Sequence, residues 1–194
     1  MRVIGGEARG HKLCAPKGMT TRPTPGRVRE AVFNILSAHI AGAYVLDIFA
    51  GTGAMALEAL SRGAAKAVLI DSDPGAVHAI KRNIANTRCA GRARLIAKDW
   101  REALKGLRGE RFSLVFADPP HQIPDLHLQA LNALDEYNLL INSGIVVLEH
   151  SRVNPPVLPA RYGIYDARRY GETMISLARF NEVNNEDLYL SRQF

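Results

Sequence analysis

Residues 45–60 read VLDIFAGTGAMALEAL, and the rest of the chain organises around them. An apolar run ends in an acid, Asp47, two glycines at 51 and 53 make a turn, and a helical pattern follows. A strand that passes through a glycine turn into a helix is the opening unit of a parallel α/β sheet, whose strand carboxyl ends leave a crevice for a ligand. The unit then repeats. Apolar runs at 43–49, 67–70, 93–97, 113–117 and 144–149 alternate with helical stretches near 54–61, 74–86, 100–107 and 126–140. Runs apolar on both faces belong to strands covered on both sides, so the expected fold is α/β, a doubly wound, mostly parallel, Rossmann-like sheet. After Glu149 the alternation stops. Residues 154–159, NPPVLP, forbid a helix, and two β-like runs at 163–170 and 173–180 joined by Gly171 predict an antiparallel hairpin at the sheet edge.

Upstream, RVIGGEARGHKLCAP reads as a small hairpin or extended arm, and TRPTPGRVREAVFNILSAHI as one amphipathic helix. Thr24 suits its N-cap and Pro25 its first position, with Val28, Val32, Ile35 and Leu36 on one face. The expected division is a basic N-terminal arm at 1–23, a body at 24–180 and a polar tail at 181–194.

Charge is distributed unevenly. The net charge of +6 equals that of residues 1–29, which hold seven Lys/Arg against one acid, Glu7, so the rest of the chain is neutral. A basic leading segment points to a polyanionic partner, with Arg2, Arg9, Lys12, Arg22, Arg27 and Arg29 as the candidate contacts. Removing residues 1–20 is expected to spare the body. At 194 residues, 47% hydrophobic and 23% charged, the chain is one ordinary globular domain. Cys14 and Cys89 form no CxxC pair and no apolar leader precedes them, so a reducing cytoplasm is expected. No apolar stretch is long enough to cross a membrane.

The glycine turn departs from the dinucleotide fingerprint, because Ala56 stands where the third glycine belongs. Asp47 would also sit badly beside a pyrophosphate. It suits a ligand carrying a cation, such as the ammonium or sulfonium of S-adenosylmethionine, with Phe49, Ala50, Gly51 and Gly53 forming the wall. Asp71, followed by Ser72, ends the second run 24 residues after Asp47, near the spacing at which an acid accepts both ribose hydroxyls. Asp73 is its understudy. Asp99 ends the third run and suits the adenine amino group, and Trp100 suits the ring. Each of these acids alone is more often the N-cap of the next helix, but three acids ending three successive strands form one rim.

The fourth run ends in Asp118-Pro119-Pro120-His121. Two prolines fix φ and remove two donors, so the Asp118 carboxylate and nearby carbonyls face outward as a rigid set of acceptors, suited to an exocyclic amine. His121, Asp125 and His127 match no common zinc spacing, so no metal is expected. Glu149 and His150 at the end of the fifth run could form a catalytic pair, but strand-end polar residues usually just meet solvent, and Arg168, Arg169 and Tyr170 read as a charged edge strand or an RNA contact.

These motifs together resemble class I methyltransferases that act on amino nitrogens. The arm RVIGGEARGHKL and the following RPTPGRVREAVFNIL extend the resemblance to the bacterial 16S ribosomal RNA guanine-N2 methyltransferase family of the RsmD type, over residues 1–180. The resemblance implies S-adenosylmethionine as cofactor, Asp118, Pro119, Pro120 and His121 as the catalytic tetrapeptide, and 16S ribosomal RNA or an assembling small subunit as partner of a monomer. His121 departs from the family's Tyr, Phe or Trp. A DNA adenine-N6 methyltransferase shares the D-P-P motif, and a non-catalytic RNA- or nucleotide-binding module is the alternative from another class.

Overall fold

The computed structural model describes residues 1–16, 25–120, 123 and 125–181. Its centre is β1 (Tyr44–Asp47), which runs into the glycine turn and α3 (Ala54–Ser61), preceded by α1 (Gly26–Ile35) and α2 (Ser37–Ile40). The sheet continues with β2 (Lys66–Ile70), β3 (Ala93–Ile96), β4 (Phe112–Ala117) and β5 (Leu140–Ser151). The connecting helices are α4 (Pro74–Asn86), α5 (Trp100–Gly106) and α6 (Leu126–Glu136). The edge is a hairpin, β6 (Tyr162–Tyr170) and β7 (Thr173–Phe180). The order is β3-β2-β1-β4-β5-β7-β6. The first five strands are parallel, and β7 runs antiparallel to both β5 and β6. The order reverses between β1 and β4, which places the crevice of a doubly wound sheet at the ends of those two strands.

Alternation along each strand builds two core layers. Val45, Leu69, Leu114, Phe116 and Val147 pack with Val32 and Phe33 of α1 and Leu57 and Leu60 of α3. Leu46, Val68, Val115 and Leu148 pack on the opposite face with Leu104 of α5 and Leu131 and Leu134 of α6. No helix among the described residues is long and apolar enough to cross a membrane.

Several boundaries differ from the sequence reading: the one helix expected after the arm divides into α1 and α2, β1 is shorter and β5 longer than expected. Two differences have clear local reasons. Helix α6 stops at Glu136 rather than 140. Asn138 takes a left-handed φ of 56°, Leu139 N–H donates to Leu134 O at 2.8 Å and Asn138 N–H to Asp135 O at 3.0 Å. This is a Schellman closure, and it frees Leu140 to start β5. At α1, Pro25 stands at the cap rather than inside the first turn, and its carbonyl accepts from Arg29 N–H. Thr24 lies outside the described residues.

The larger difference concerns the N-terminal segment, which is part of the core. Residues 1–13 form a hairpin, with Arg2 bridged to Lys12 and Val3 N–H donating to His11 O at 3.0 Å. Val3, Ala8 and Leu13 are buried against α1 and α3. Gly6, at φ +75°, lies so close to the end of α3 that a Cβ there would fall 1.8 Å from Ser61 O, which makes glycine obligatory. Glu58 of α3 is fully buried and holds the hairpin by accepting from Ile4 N–H and Gly5 N–H, both at 2.8 Å. The body alone therefore lacks part of its core, which overturns the expectation that removing residues 1–20 spares it. The tail beyond Asn181 lies outside the described residues.

Candidate active site

At the end of β1, Asp47 is buried and its Oδ2 accepts from Ala56 N–H at 3.3 Å. Burial pushes its carboxyl up to about 7; the Ala56 bond opposes the shift and the Asp71 charge adds to it. At the end of β2, Asp71 braces the glycine turn: Oδ2 accepts from Gly51 N–H at 2.8 Å and Oδ1 from Asp73 N–H at 2.9 Å. Burial raises Asp71 as well, against the pull of those N–H groups. The turn needs its glycines. Gly53 has φ +75°, and a Cβ on it would lie 2.8 Å from the Leu69 side chain.

Asp73 caps α4, accepting from Ala76 N–H at 2.7 Å, and Asp99 caps α5, accepting from Arg101 N–H at 2.9 Å. Ser72 and Asp99 are exposed and both line the crevice. Trp100 is largely buried, edge-on to Phe49 at 5.9 Å between ring centroids, and the Arg101 guanidinium lies 4.4 Å from its own ring centre. Phe49 is thereby left as the half-buried aromatic on this wall of the crevice.

The crevice encloses about 1460 Å³ and runs along the carboxyl edge of the sheet. One half is bounded by Asp47, Phe49, Ala50, Gly51, Asp71 and Asp99, and the other by Asp118, Pro119, Pro120, Glu149 and the β6–β7 turn from Tyr170 to Thr173. It has room for a nucleoside-sized cofactor and a second planar group together. Asp118 is exposed at the crevice surface but closely surrounded by protein groups. Burial raises it well above the ordinary carboxylate range, and the charges of Glu149 and then Asp47 raise it further. His121, the last member of the tetrapeptide, lies outside the described residues.

Sequence reasoning missed Asn83 and discounted Glu149. Asn83, fully buried in α4, donates from Nδ2 to Thr52 O and to Cys14 O, both at 2.9 Å, and accepts from Cys14 N–H at 2.7 Å. It ties the glycine turn to the N-terminal segment. Glu149, weighed as half of a pair with His150 and set aside as a solvent-facing strand end, lies in the crevice wall beside Asp118. The rule that singled out Asp47, Asp71 and Asp99, an acid ending a parallel strand, also picks out Glu149.

One candidate RNA contact is corrected. Arg29 is 1% exposed, its Nε lies 3.7 Å from Glu58 Oε2, and its terminal nitrogens donate to Met1 Sδ and Arg2 O. An apolar helix face turned toward the core carries it inward, where Glu58 compensates its charge. Arg2, Arg9, Lys12 and Arg27 are exposed, and Arg22 lies outside the described residues. Arg2 and Lys12 line a hollow of about 570 Å³ that shares Met1, Pro25 and Arg29 with the crevice, so the basic hairpin borders the site.

The sheet order, with a reversed final hairpin and an acid-rimmed crevice at the switch point, defines a Rossmann-like methyltransferase fold. Residues 1–179 match a family described as conserved hypothetical protein 95. The chain is 36% identical over 178 residues to ribosomal RNA small subunit methyltransferase D of Escherichia coli (strain K12), covering 91% of this chain and 88% of that protein. It is 32% identical over 173 residues to the Haemophilus influenzae protein of the same name, covering 88% and 89%. Among solved structures, Escherichia coli yhhF aligns with a TM-score of 0.81 at 35% identity over 93% of this chain and 98% of that one. The chain belongs to the RsmD family of ribosomal RNA methyltransferases.

The buried Asp47 has a consequence for stability. An Asp of ordinary pKa near 3.8 that reaches about 7 when folded binds its proton more tightly in the folded state. Its contribution is complete below about pH 4 and is lost as pH rises through about 7. Asp47→Asn, which still accepts from Ala56, is therefore expected to match wild type at pH 4 and exceed it by up to about 4 kcal/mol at pH 8. Urea unfolding of the ligand-free proteins at the two pH values checks this; a difference independent of pH would contradict it.

Proposed function

We propose that the chain methylates the exocyclic N2 of a guanine in 16S ribosomal RNA, of the guanine-966 type, with S-adenosylmethionine as methyl donor. The observation that carries the reading is Asp118-Pro119-Pro120 at the end of β4, beside Asp47 at the end of β1, where the sheet order reverses. The residues present fit this cofactor. Asp47, a buried carboxyl, gains its charge most readily next to a cation. Each Asp71 oxygen accepts one backbone N–H and retains lone-pair capacity for a ribose hydroxyl. Phe49 offers an apolar face for a ring. S-adenosylmethionine supplies a methyl group activated by its sulfonium.

The chain's own groups then act by placement. Asp118 and the Pro119 carbonyl accept the two amine hydrogens and turn the nitrogen lone pair toward the donor half of the crevice. As N2 gains carbon it must shed a proton, and the Asp118 carboxylate, made more basic by its surroundings, is positioned to take it. The target base has to leave its stack to reach Asp118.

Mass spectrometry of 16S ribosomal RNA from a deletion strain tests the reading. One N2-methylguanine should disappear and return with the wild-type gene but not with Asp118→Asn; an unchanged modification profile would overturn it. The exposed hairpin cations give a second expectation. Replacing Arg2, Arg9 and Lys12 by Ala should weaken RNA binding and flatten its salt dependence, by about 0.7–0.9 in the log-log slope for each phosphate that is no longer neutralised. Filter binding across salt concentrations measures this, and an identical slope would show that these side chains touch no phosphate.

A further inference from the structure

We propose that Glu149 reads the Watson–Crick edge of the target base, its carboxylate accepting the N1–H of guanine while Asp118 accepts the 2-amino group, so that the pair selects guanine over adenine. The inference rests on the guanine-N2 reading and adds the residue that chooses the base.

The placement follows from the sheet. Strands β4 and β5 are parallel neighbours with Phe116 opposite Val147 and Ala117 opposite Leu148. One step further along each strand come Asp118 and Glu149, side by side on adjacent chains, where strand spacing is about 4.8 Å. Alternation points both toward the layer that holds Phe116 and Val147, and both line the crevice. Glu149 is also held from its other side. It pairs with Ile175 of β7, and His127 Nε2–H donates to its carbonyl at 3.0 Å. The next residue, the buried His150, donates from Nδ1 to Ser151 O at 3.0 Å and accepts from Ser176 Oγ at 2.9 Å. The backbone that carries Glu149 is thus held on both sides.

Two adjacent carboxylates in the target half of a crevice meant for RNA call for a chemical reason, since each repels both phosphate and the other. Ionised carboxylates only accept hydrogen bonds. Guanine offers an unbroken row of donors on its edge, N1–H beside the 2-amino group. Adenine offers an acceptor at N1 and a bare C–H at position 2. A donor edge is stabilised between Asp118 and Glu149, whereas an N1 lone pair meets a negative oxygen. The adjacent placement is matched by the electrostatics: burial, and then the Glu149 charge, push the Asp118 carboxyl upward.

The test uses 16S ribosomal RNA, ligated around a synthetic segment, with guanine, 2-aminopurine or adenine at the target position. 2-Aminopurine keeps the reactive amine but presents N1 as an acceptor. Wild type is expected to methylate guanine at least about a hundredfold faster than 2-aminopurine in single turnover, a lower bound on the roughly 10⁴–10⁵ reached by sites built to hydrogen-bond their substrate. Glu149→Gln, whose amide can donate to N1, should bring the ratio within about tenfold with cofactor affinity by calorimetry unchanged. Glu149→Ala should slow guanine without accelerating 2-aminopurine. Equal wild-type rates on guanine and 2-aminopurine overturn the assignment without any variant, and so does a ratio that Glu149→Gln leaves unchanged. Transfer to adenine in place of guanine overturns the guanine reading itself, and the assignment with it.

Discussion

Asp118→Ala is expected to retain cofactor binding and to lose about 10²–10³-fold of its single-turnover rate. The carboxylate belongs to the half of the crevice bounded by Glu149 and the β6–β7 turn, whereas the proposed cofactor contacts Asp47, Asp71 and Gly51 lie on the other half. Without it one amine hydrogen loses its acceptor, the Pro119 carbonyl holds the other alone, and the nitrogen lone pair is no longer held on line. Asp118→Asn should recover little, because the amide retains one acceptor but presents a donor to the amine and cannot take its proton. Isothermal calorimetry with cofactor and a rapid-quench methyl-transfer assay separate the two properties. Comparable loss of cofactor affinity would place Asp118 in the cofactor half and refute its assigned role.

The second large effect lies away from the chemistry, at Glu58. Its carboxylate accepts from Ile4, Gly5 and Arg62 Nε, the last at 2.8 Å, and faces Arg29 in a fully buried pair. Burial lowers the Arg29 pKa, and Glu58 is what opposes that effect. Removing one partner of a buried pair leaves an uncompensated charge and costs about 3–5 kcal/mol, a large part of the 5–15 kcal/mol that is typical of a domain. Glu58→Ala should therefore lower the urea midpoint sharply. Deleting residues 1–16, which empties the places of Val3, Ala8 and Leu13 and removes two N–H donors from Glu58, should do at least as much. The double variant Glu58→Leu, Arg29→Met should be more stable than Glu58→Ala, because no charge is stranded. If Glu58→Ala unfolds at the wild-type midpoint, the hairpin is not held as described.

The same pair explains why the first 29 residues misled a reading by charge. Seven cations in so short a stretch suggest a free arm. Yet Val3, Ala8 and Leu13 are spaced so that a hairpin turns all three inward, and Arg29 lies on the buried face of α1 between Val28 and Val32. A charge pattern states sign and density; it does not state which cations already have an internal partner. Arg2, Arg9, Lys12 and Arg27 remain exposed to act on a polyanion. In the crevice, Asp73 and Asp99 cap helices, and Asp71 spends part of its hydrogen-bonding capacity on the turn. The strand-end acids thus build the rim while lining it.

Legible in the chain order is whatever repeats or completes within a few tens of residues: the strand–helix alternation, the Gly51 and Gly53 turn after Asp47, the Asp118-Pro119-Pro120 corner and the reversed hairpin around Gly171. Each depends on backbone preference or on periodicity along one element, and both are local. Packing in three dimensions brings Ile4 to Glu58 from 54 residues away and Cys14 to Asn83 from 69 residues away, turns Arg29 inward and sets Glu149 beside Asp118. Those outcomes depend on which faces meet when the sheet closes. Burial then fixes a polar group's partner, because a charge or amide withdrawn from water must find its complement among groups that the chain order does not place nearby.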